Sequence, residues 1–166
     1  HVMILQPGQQ HIYPWWKLEF PDAADAPVPV KFEEQVEELE ALLLNATRIR
    51  LRADVPVGAY LSGGLDSSLL SAFAAEIHGP GLRTFSLRFE SAEHDEGLWQ
   101  ERMAQKIGAH HTSVVCRPDQ IAGQFINSMR FIDRPILRTA PVPLQLLSQH
   151  VRESGMKVVL TGEGAD

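Results

Sequence analysis

The sequence predicts an α/β fold: a parallel sheet of about four to five strands with helices on both faces. Three observations lead there. Short apolar runs alternate with stretches of helical periodicity between residues 57 and 160. That alternation builds parallel sheets, whose crossover helices cover both faces. Glycine-rich, acidic turns follow the first and last of those runs, at Ser62–Ser68 and Gly162–Asp166. Parallel sheets bind their ligands at the carboxyl ends of strands, where such turns lie. The 166 residues are enough for one domain of ordinary size.

Residues 1–30 read as irregular, because Pro7, Pro14, Pro21, Pro27 and Pro29 oppose regular helix and central strand. Within them a short strand is expected around Ile12–Phe20, Trp15 and Trp16 read as anchors packed on a domain surface, and Pro21–Val30 reads as a linker. Phe32–Arg52 is helical: Phe32, Val36, Leu39, Leu43, Ala46 and Ile49 recur at spacings of three and four. Glu33, Glu34, Glu37 and Glu38 suit its start, and Arg48, Arg50 and Arg52 its end. The acidic run reads as a solvated helix face rather than a metal site.

The alternation then begins. Val57–Leu61 is a strand, Ser62–Ser68 a turn, and Leu69–Ile77 a helix stopped by Gly79 and Pro80. Thr84–Phe89 is a strand. Asp95–Ile107 is a helix, with Asp95 near its N-cap and Gly108 as its C-terminal cap. His111–Cys116 is a strand. Pro118–Phe131 and Leu144–Glu153 are helices, the second capped near Gly155, and Lys157–Leu160 is a buried strand. There is no internal repeat and no low-complexity tract.

Composition narrows the function classes. An apolar share of 44% is ordinary for a globular chain. Fifteen basic against 21 acidic residues leave a net charge of −6. A broad basic face for nucleic acid is therefore not expected, and an anionic ligand needs a local site. No apolar run reaches the roughly 18 residues of a membrane span. Cys116 is the sole cysteine, which excludes an internal disulfide and fits a reducing compartment. The first residues lack a signal-peptide pattern, so a cytoplasmic location is expected. The chain stops on a glycine-rich turn straight after a buried-type strand, which reads as a fragment of a longer protein.

The chemistry sits in the two turns. In Ser62-Gly63-Gly64-Leu65-Asp66-Ser67-Ser68, glycines let the backbone approach a ligand closely. Successive amides backed by a helix N-terminus make an anion cradle, and the hydroxyls of Ser62, Ser67 and Ser68 add donors. No Gly-Lys-Ser/Thr step is present, so an ordinary P-loop is disfavoured. Asp66 would repel a phosphate unless a cation lies between them, and carboxylates with phosphates are the usual Mg²⁺ arrangement. The second turn offers Glu163 and Asp166. Asp66 and Asp166 are therefore read as metal ligands on a triphosphate. The bland alternative is a helix-capping turn, since serine and aspartate cap helices and glycine pairs make turns.

Other residues are read structurally. His110 and His111 are adjacent in a strand and face opposite sides. Glu93-His94-Asp95-Glu96 is a loop and helix start, and Cys116 a small buried apolar residue. Arg138 is balanced between a carboxylate contact and a surface ion pair.

Ser62–Ser68 resembles the pyrophosphatase loop of the ATP pyrophosphatase superfamily. Together with Leu61, Thr84-Phe85-Ser86-Leu87, Asp133-Arg134-Pro135 and Leu160-Thr161-Gly162-Glu163-Gly164-Ala165-Asp166, it is similar to the synthetase domain of glutamine-hydrolysing asparagine synthetases. The match covers roughly residues 30 to 166. Leu5-Gln6-Pro7-Gly8-Gln9 and Tyr13-Pro14-Trp15-Trp16 look like the tail of that family's glutaminase domain. The resemblance divides the chain into a glutaminase tail and linker, 1–30, and a synthetase domain of adenine nucleotide alpha-hydrolase type, 31–166, truncated at its C-terminus.

It also implies a reaction. ATP and aspartate would form a β-aspartyl-adenylate and pyrophosphate with Mg²⁺ as cofactor, and ammonia would then displace AMP to give asparagine. Ser62, Gly63, Gly64, Asp66, Ser67 and Ser68 would grip pyrophosphate, main-chain groups of Leu61 and Leu87 would hold adenine, and Gly162 would line the nucleotide site. Glu163 would serve the reacting centre as the catalytic residue. Ammonia would come from a glutaminase domain outside this chain: the family's glutaminase nucleophile is an N-terminal cysteine, and this chain begins with His1. Arg134 and Arg88 depart from the family's usual acidic residue and glycine. A homodimer of the full-length protein remains open. The alternatives are a related amide or β-lactam synthetase and a non-catalytic nucleotide-binding fragment.

Overall fold

In the computed structural model, which describes residues 1–20, 22, 30–91, 93 and 95–163, residues 1–36 and 37–166 form two separate units. The first contains a hairpin of β1 (Val2–Gln6) and β2 (Gln9–Tyr13), paired antiparallel from Val2↔Tyr13 to Gln6↔Gln9. Pro7 and Gly8 form its turn. Gly8 has φ 78°, as the proline-then-glycine pattern of a type II turn requires. This corrects the expectation of an irregular start with a strand at Ile12–Phe20. Pro7 and Pro14 border the strands rather than interrupt them. Trp15 and Trp16 are 72% and 63% exposed, so they are not buried anchors in this chain. The expected linker Pro21–Val30 lies almost wholly outside the described residues.

Helix α1 (Phe32–Arg50) runs as its periodicity and end charges suggest. Thr47 is buried and donates to the Leu43 carbonyl at 2.8 Å. Of the apolar stripe, Leu43 is half-buried, while Phe32, Val36, Leu39 and Ile49 are exposed.

The main sheet holds four parallel strands in the order β5-β4-β3-β6. These are β3 (Val57–Tyr60), β4 (Arg83–Phe89), β5 (His110–Cys116) and β6 (Val158–Leu160). Helix α2 (Leu65–His78) joins β3 to β4, and α3 (Gly97–Lys106) joins β4 to β5. The return to β6 runs through α4 (Pro118–Met129) and α5 (Pro141–Glu153). One face of β4 packs Phe85 against Leu147, Val151 and Met156, flanked by Tyr60, Leu87, Val114 and Val159. Strand alternation turns Thr84 and Ser86 to the opposite face. There α2 and α3 bury small or polar residues, Ser71, Ala74, Gln100 and Ala104.

Element types follow the sequence reading, with shifted ends. Helix α2 starts at Leu65 rather than Leu69, because the Ser68 amide already donates to the Gly64 carbonyl at 3.1 Å. Helix α5 starts at Pro141, a residue whose missing N–H costs nothing in a first turn. Gly108 and Gly155 both close helices with positive φ, and the following amides of Ala109 and Met156 reach back to Ala104 and Val151. Asp95 lies one residue before the N-cap of α3, Glu96, and its carboxylate is held mainly by Arg88. Cys116 is buried, which pushes its thiol above the ordinary range. Among the described residues, no helix is long and apolar enough to cross a membrane.

His111 shares a hydrogen bond with Thr84 Oγ1 at 2.9 Å. Burial is the largest cause holding its imidazole below the ordinary histidine value, and Glu101 opposes the shift. The unfolded chain therefore takes up this proton near pH ~6.5, before the folded one does. Below that pH the unfolded state binds more protons, so stability is lost as pH falls toward the folded-state value. His111→Asn should narrow the drop in melting temperature between about pH 7.5 and about pH 5.5. An unchanged drop would remove His111 from the acid response.

Candidate functional site

The chain order of the strands creates the site. From β3 the chain steps outward through β4 to β5, then returns to place β6 on the other side of β3. Neighbouring loops after β3 and β6 therefore leave the same edge at the point where the direction reverses, and open α/β sheets bind ligands there. Strand register sets Ala59 opposite Leu160, which brings the two glycine-rich turns level. They touch: a Cβ on Gly162 would stand 3.2 Å from the Ser67 amide nitrogen and 3.5 Å from the Asp66 carbonyl carbon.

The first turn is a backbone cradle. Gly63 has φ 96°, a conformation that side-chain-bearing residues rarely adopt, and a Cβ there would meet the Glu96 Cβ at 3.1 Å. Ser62 and Ser67 knit the turn. Their hydroxyls lie 2.8 Å apart, the Ser62 amide donates to Ser67 Oγ at 3.1 Å, and the Gly64 amide donates to Ser62 Oγ at 3.2 Å. Ser67 Oγ donates onward to the Gly64 carbonyl at 3.3 Å. Those two hydroxyls thus shape the loop before they serve any ligand. Gly64, at the N-cap of α2, offers no side-chain cap. Among the described residues, the amides of Leu65, Asp66 and Ser67 find no backbone acceptor. Three unpaired donors at the positive end of a 14-residue helix make an anion site.

Asp66 is exposed in that first helical turn. With Leu43, Phe73, Gly162 and Glu163 it lines a cleft of about 220 Å³. The fold thus brings residues of both turns, Asp66 and Glu163 among them, onto one cleft whose lining is mostly apolar. Neither Leu61, which is fully buried, nor Leu87 lines that cleft. Leu61 follows β3, and Leu87 lies near the end of the neighbouring β4. The Leu61 amide is committed to the Phe85 carbonyl at 2.9 Å, and its carbonyl accepts from Ser86 Oγ.

A triphosphate suits this cradle, because the glycines and uncapped amides leave room and donors where a Cβ would intrude. For Mg²⁺ the fit is one-sided. Asp66 supplies a carboxylate at the cleft, but Asp166 lies outside the described residues, as do Gly164 and Ala165. Among the described residues, no three His, Cys, Asp or Glu side chains gather. A cation held largely by phosphate oxygens and one or two carboxylates needs no larger cluster.

Sequence reasoning missed Gln100 altogether and, for Arg88, noted a departure from the family pattern but not its role. Gln100, only 2% exposed, donates from Nε2 to the carbonyls of Ser62 and Leu87, each at 3.0 Å. Arg88 makes two 2.6 Å bonds to the Asp95 carboxylate and a third, at 3.1 Å, to Glu101. The Arg88 bonds hold the Asp95 carboxyl below its ordinary range, and Asp95 in turn holds the Arg88 guanidinium up. The guanidinium occupies the space that a Gly97 side chain would need, with Cζ 1.9 Å from the Cβ position. Arg88 thereby packs against the start of α3, and its charge is paired with Asp95 and Glu101.

The asparagine synthase family matches residues 38–166. Asparagine synthetase [glutamine-hydrolyzing] 1 of Bacillus subtilis is 32% identical over 170 residues, spanning 100% of this chain and 27% of that protein. A putative asparagine synthetase of Mycobacterium tuberculosis is 37% identical over 134 residues, 81% of this chain and 20% of its own length. Amidase chyE of Penicillium rubens is 31% identical over 181 residues, 100% of this chain and 27% of that protein. The chain thus spans about a quarter of the length of these relatives. Among solved structures, NMN synthetase from Francisella tularensis superposes with a TM-score of 0.51 at 17% identity, covering 74% of this chain and 52% of the other. NH3-dependent NAD synthetase from Campylobacter jejuni does so with a TM-score of 0.50 at 12% identity, covering 74% and 54%. These two likenesses bear on fold alone, and the fold is of the adenine nucleotide alpha-hydrolase type.

Proposed function

Because the chain belongs to the asparagine synthase family, we propose that it carries the nucleotide site of an ATP-dependent, amide-forming ligase that adenylates the side-chain carboxylate of aspartate. The contact of Gly162 with the first turn of α2, which sets Asp66 and Glu163 on one cleft, is the observation that supports this reading most.

In the first step a carboxylate oxygen bonds to the α-phosphorus of ATP, and the bond from that phosphorus to the β-bridging oxygen breaks. Pyrophosphate leaves toward the amides of Leu65, Asp66 and Ser67, which receive its charge without reorganising. Gly63 and Gly64 keep that approach open, and Ser68 adds a hydroxyl. Leu61 and Leu87 present main-chain groups to the adenine, and Gly162 walls the nucleotide. Asp66 and Asp166 would hold Mg²⁺, which would supply positive charge to neutralise the departing phosphates. In the second step ammonia bonds to the acyl carbon, AMP departs with the carboxyl-derived oxygen on phosphorus, and one proton is lost. Glu163 positions the carboxylate substrate or accepts that proton.

In this reading residues 1–30 end a glutaminase domain that delivers the ammonia, and residues 31–166 belong to the synthetase domain of a cytoplasmic protein. ATP–pyrophosphate exchange by the full-length protein, run with a panel of amino acids, tests the proposal. Exchange is expected with aspartate, and its absence with every carboxylate would overturn adenylation. Exchange with another carboxylate but not aspartate would establish a second reading, a tailoring amide or β-lactam synthetase. Full-length coverage of this chain by a relative named as an amidase favours that second reading.

A further inference from the structure

We propose that Gln100 is a positioning residue for the nucleotide, a tie that sets the spacing of the two strand ends between which the base is held. The inference rests on the adenylation reading above and adds a residue to it. Ser62 follows β3 and Leu87 lies near the end of β4, so their carbonyls belong to neighbouring strands at the ligand edge. Parallel-strand hydrogen bonding fades where the loops diverge. The last Cα partners of β3 and β4 are Tyr60 and Phe85, short of both carbonyls. Just beyond that pair the Leu61 amide still reaches the Phe85 carbonyl and Ser86 Oγ the Leu61 carbonyl; one step further, the Gln100 carboxamide joins Ser62 to Leu87, 3.0 Å to each oxygen.

The atom assignment follows from the partners. Both are carbonyl acceptors, so only the NH₂ end can face them, and its two hydrogens serve one bond each. The other end gains nothing: Gln100 Oε1 is buried and finds no partner among the described residues. A residue chosen only to fill space would be apolar here, since an orphaned buried acceptor is unfavourable. The side chain is therefore kept for its two donors. Its packing also touches the cradle directly, because a Cβ on Gly63 would lie 3.4 Å from Gln100 Cγ. One side chain thus contacts the phosphate turn and bonds to the main chain of Leu87, which is proposed to hold the adenine.

Two variants of the full-length protein test the tie by ATP–pyrophosphate exchange with its preferred carboxylate. Gln100→Met keeps the volume and removes both donors. It should raise KM for ATP about tenfold through lost positioning, with kcat and KM for the carboxylate within about threefold. Gln100→Glu places a carboxylate against two carbonyl oxygens, and protonation restores one donor. Its KM for ATP should therefore fall toward the wild-type value as pH is lowered, a trend absent from wild type and from Gln100→Met. That trend is read within a single protein, so it decides the matter if Gln100→Met does not fold. A wild-type KM for ATP in Gln100→Met overturns the proposal, and so does a pH-independent KM in Gln100→Glu. If wild type shows no exchange with any carboxylate, the adenylation reading falls and takes this proposal with it. Normal wild-type exchange with unmoved variants rejects the tie alone.

Discussion

Asp66→Ala in the full-length protein is expected to lower ATP–pyrophosphate exchange by about 100-fold or more, the scale on which losing metal-assisted charge stabilisation acts, while the fold is nearly unaffected. Asp66 is exposed and in the first turn of α2. Removing an acidic residue there forfeits only about 0.3–1 kcal/mol of interaction with the helix dipole. The sign of the effect on nucleotide binding is diagnostic. Without a cation, a carboxylate beside a triphosphate is repulsive by about 1 kcal/mol per charge at ~4 Å even in water, so alanine would tighten ATP. With Mg²⁺ between them, alanine weakens it. Exchange rates and melting temperatures measured side by side separate the cases. Normal exchange, or tighter ATP binding, would end the metal role.

Gly162→Ala should also be damaging, to a lesser extent and for a different reason. Gly162 is not among the glycines with positive φ, so alanine carries no conformational penalty there. What it carries is a methyl group 3.2 Å from the Ser67 amide nitrogen, a backbone atom that cannot rotate away. Forcing an extra methyl into a packed contact costs about 1–3 kcal/mol. The displaced amide belongs to the proposed pyrophosphate cradle, so the same strain should appear as a rise of about tenfold or more in KM for ATP, at ~1.4 kcal/mol per tenfold. An unaltered KM would mean that the turns after β3 and β6 do not form one site.

The cradle was legible because its residues are contiguous. Gly63, Gly64, Asp66 and Ser67 lie within five positions, and anion binding at a helix N-terminus is local physics. The same locality misled at Leu65–Ser68, where polar residues read as turn although they open α2. Asp and Ser favour both states, and only the bond from Ser68 to Gly64 decides. The early hairpin was missed because prolines were weighed as interruptions, whereas its pairing is a contact between residues up to 11 apart, Val2 with Tyr13. Gln100 carried no signal, and Arg88 stood out only as a departure from the family's glycine, with nothing to show that it pairs with Asp95. A glutamine on a helix reads as solvated, and its partners lie 38 and 13 residues away. Gly97 beside Glu96 gives no hint that an arginine from β4 fills the space.

By itself the sequence determined the alternation of strands and helices, hence a parallel sheet, and the non-Walker glycine turn that makes an anion site. Both depend on neighbours within a few residues, where periodicity and backbone sterics act. Tertiary structure alone decided that β6 lies beside β3, that Gly162 presses on the Ser67 amide, and that Gln100 joins the ends of β3 and β4. These are pairings of distant segments. They are selected by the burial of Phe85 and its neighbours across the whole sheet, and no local pattern records which distant partner that burial will choose.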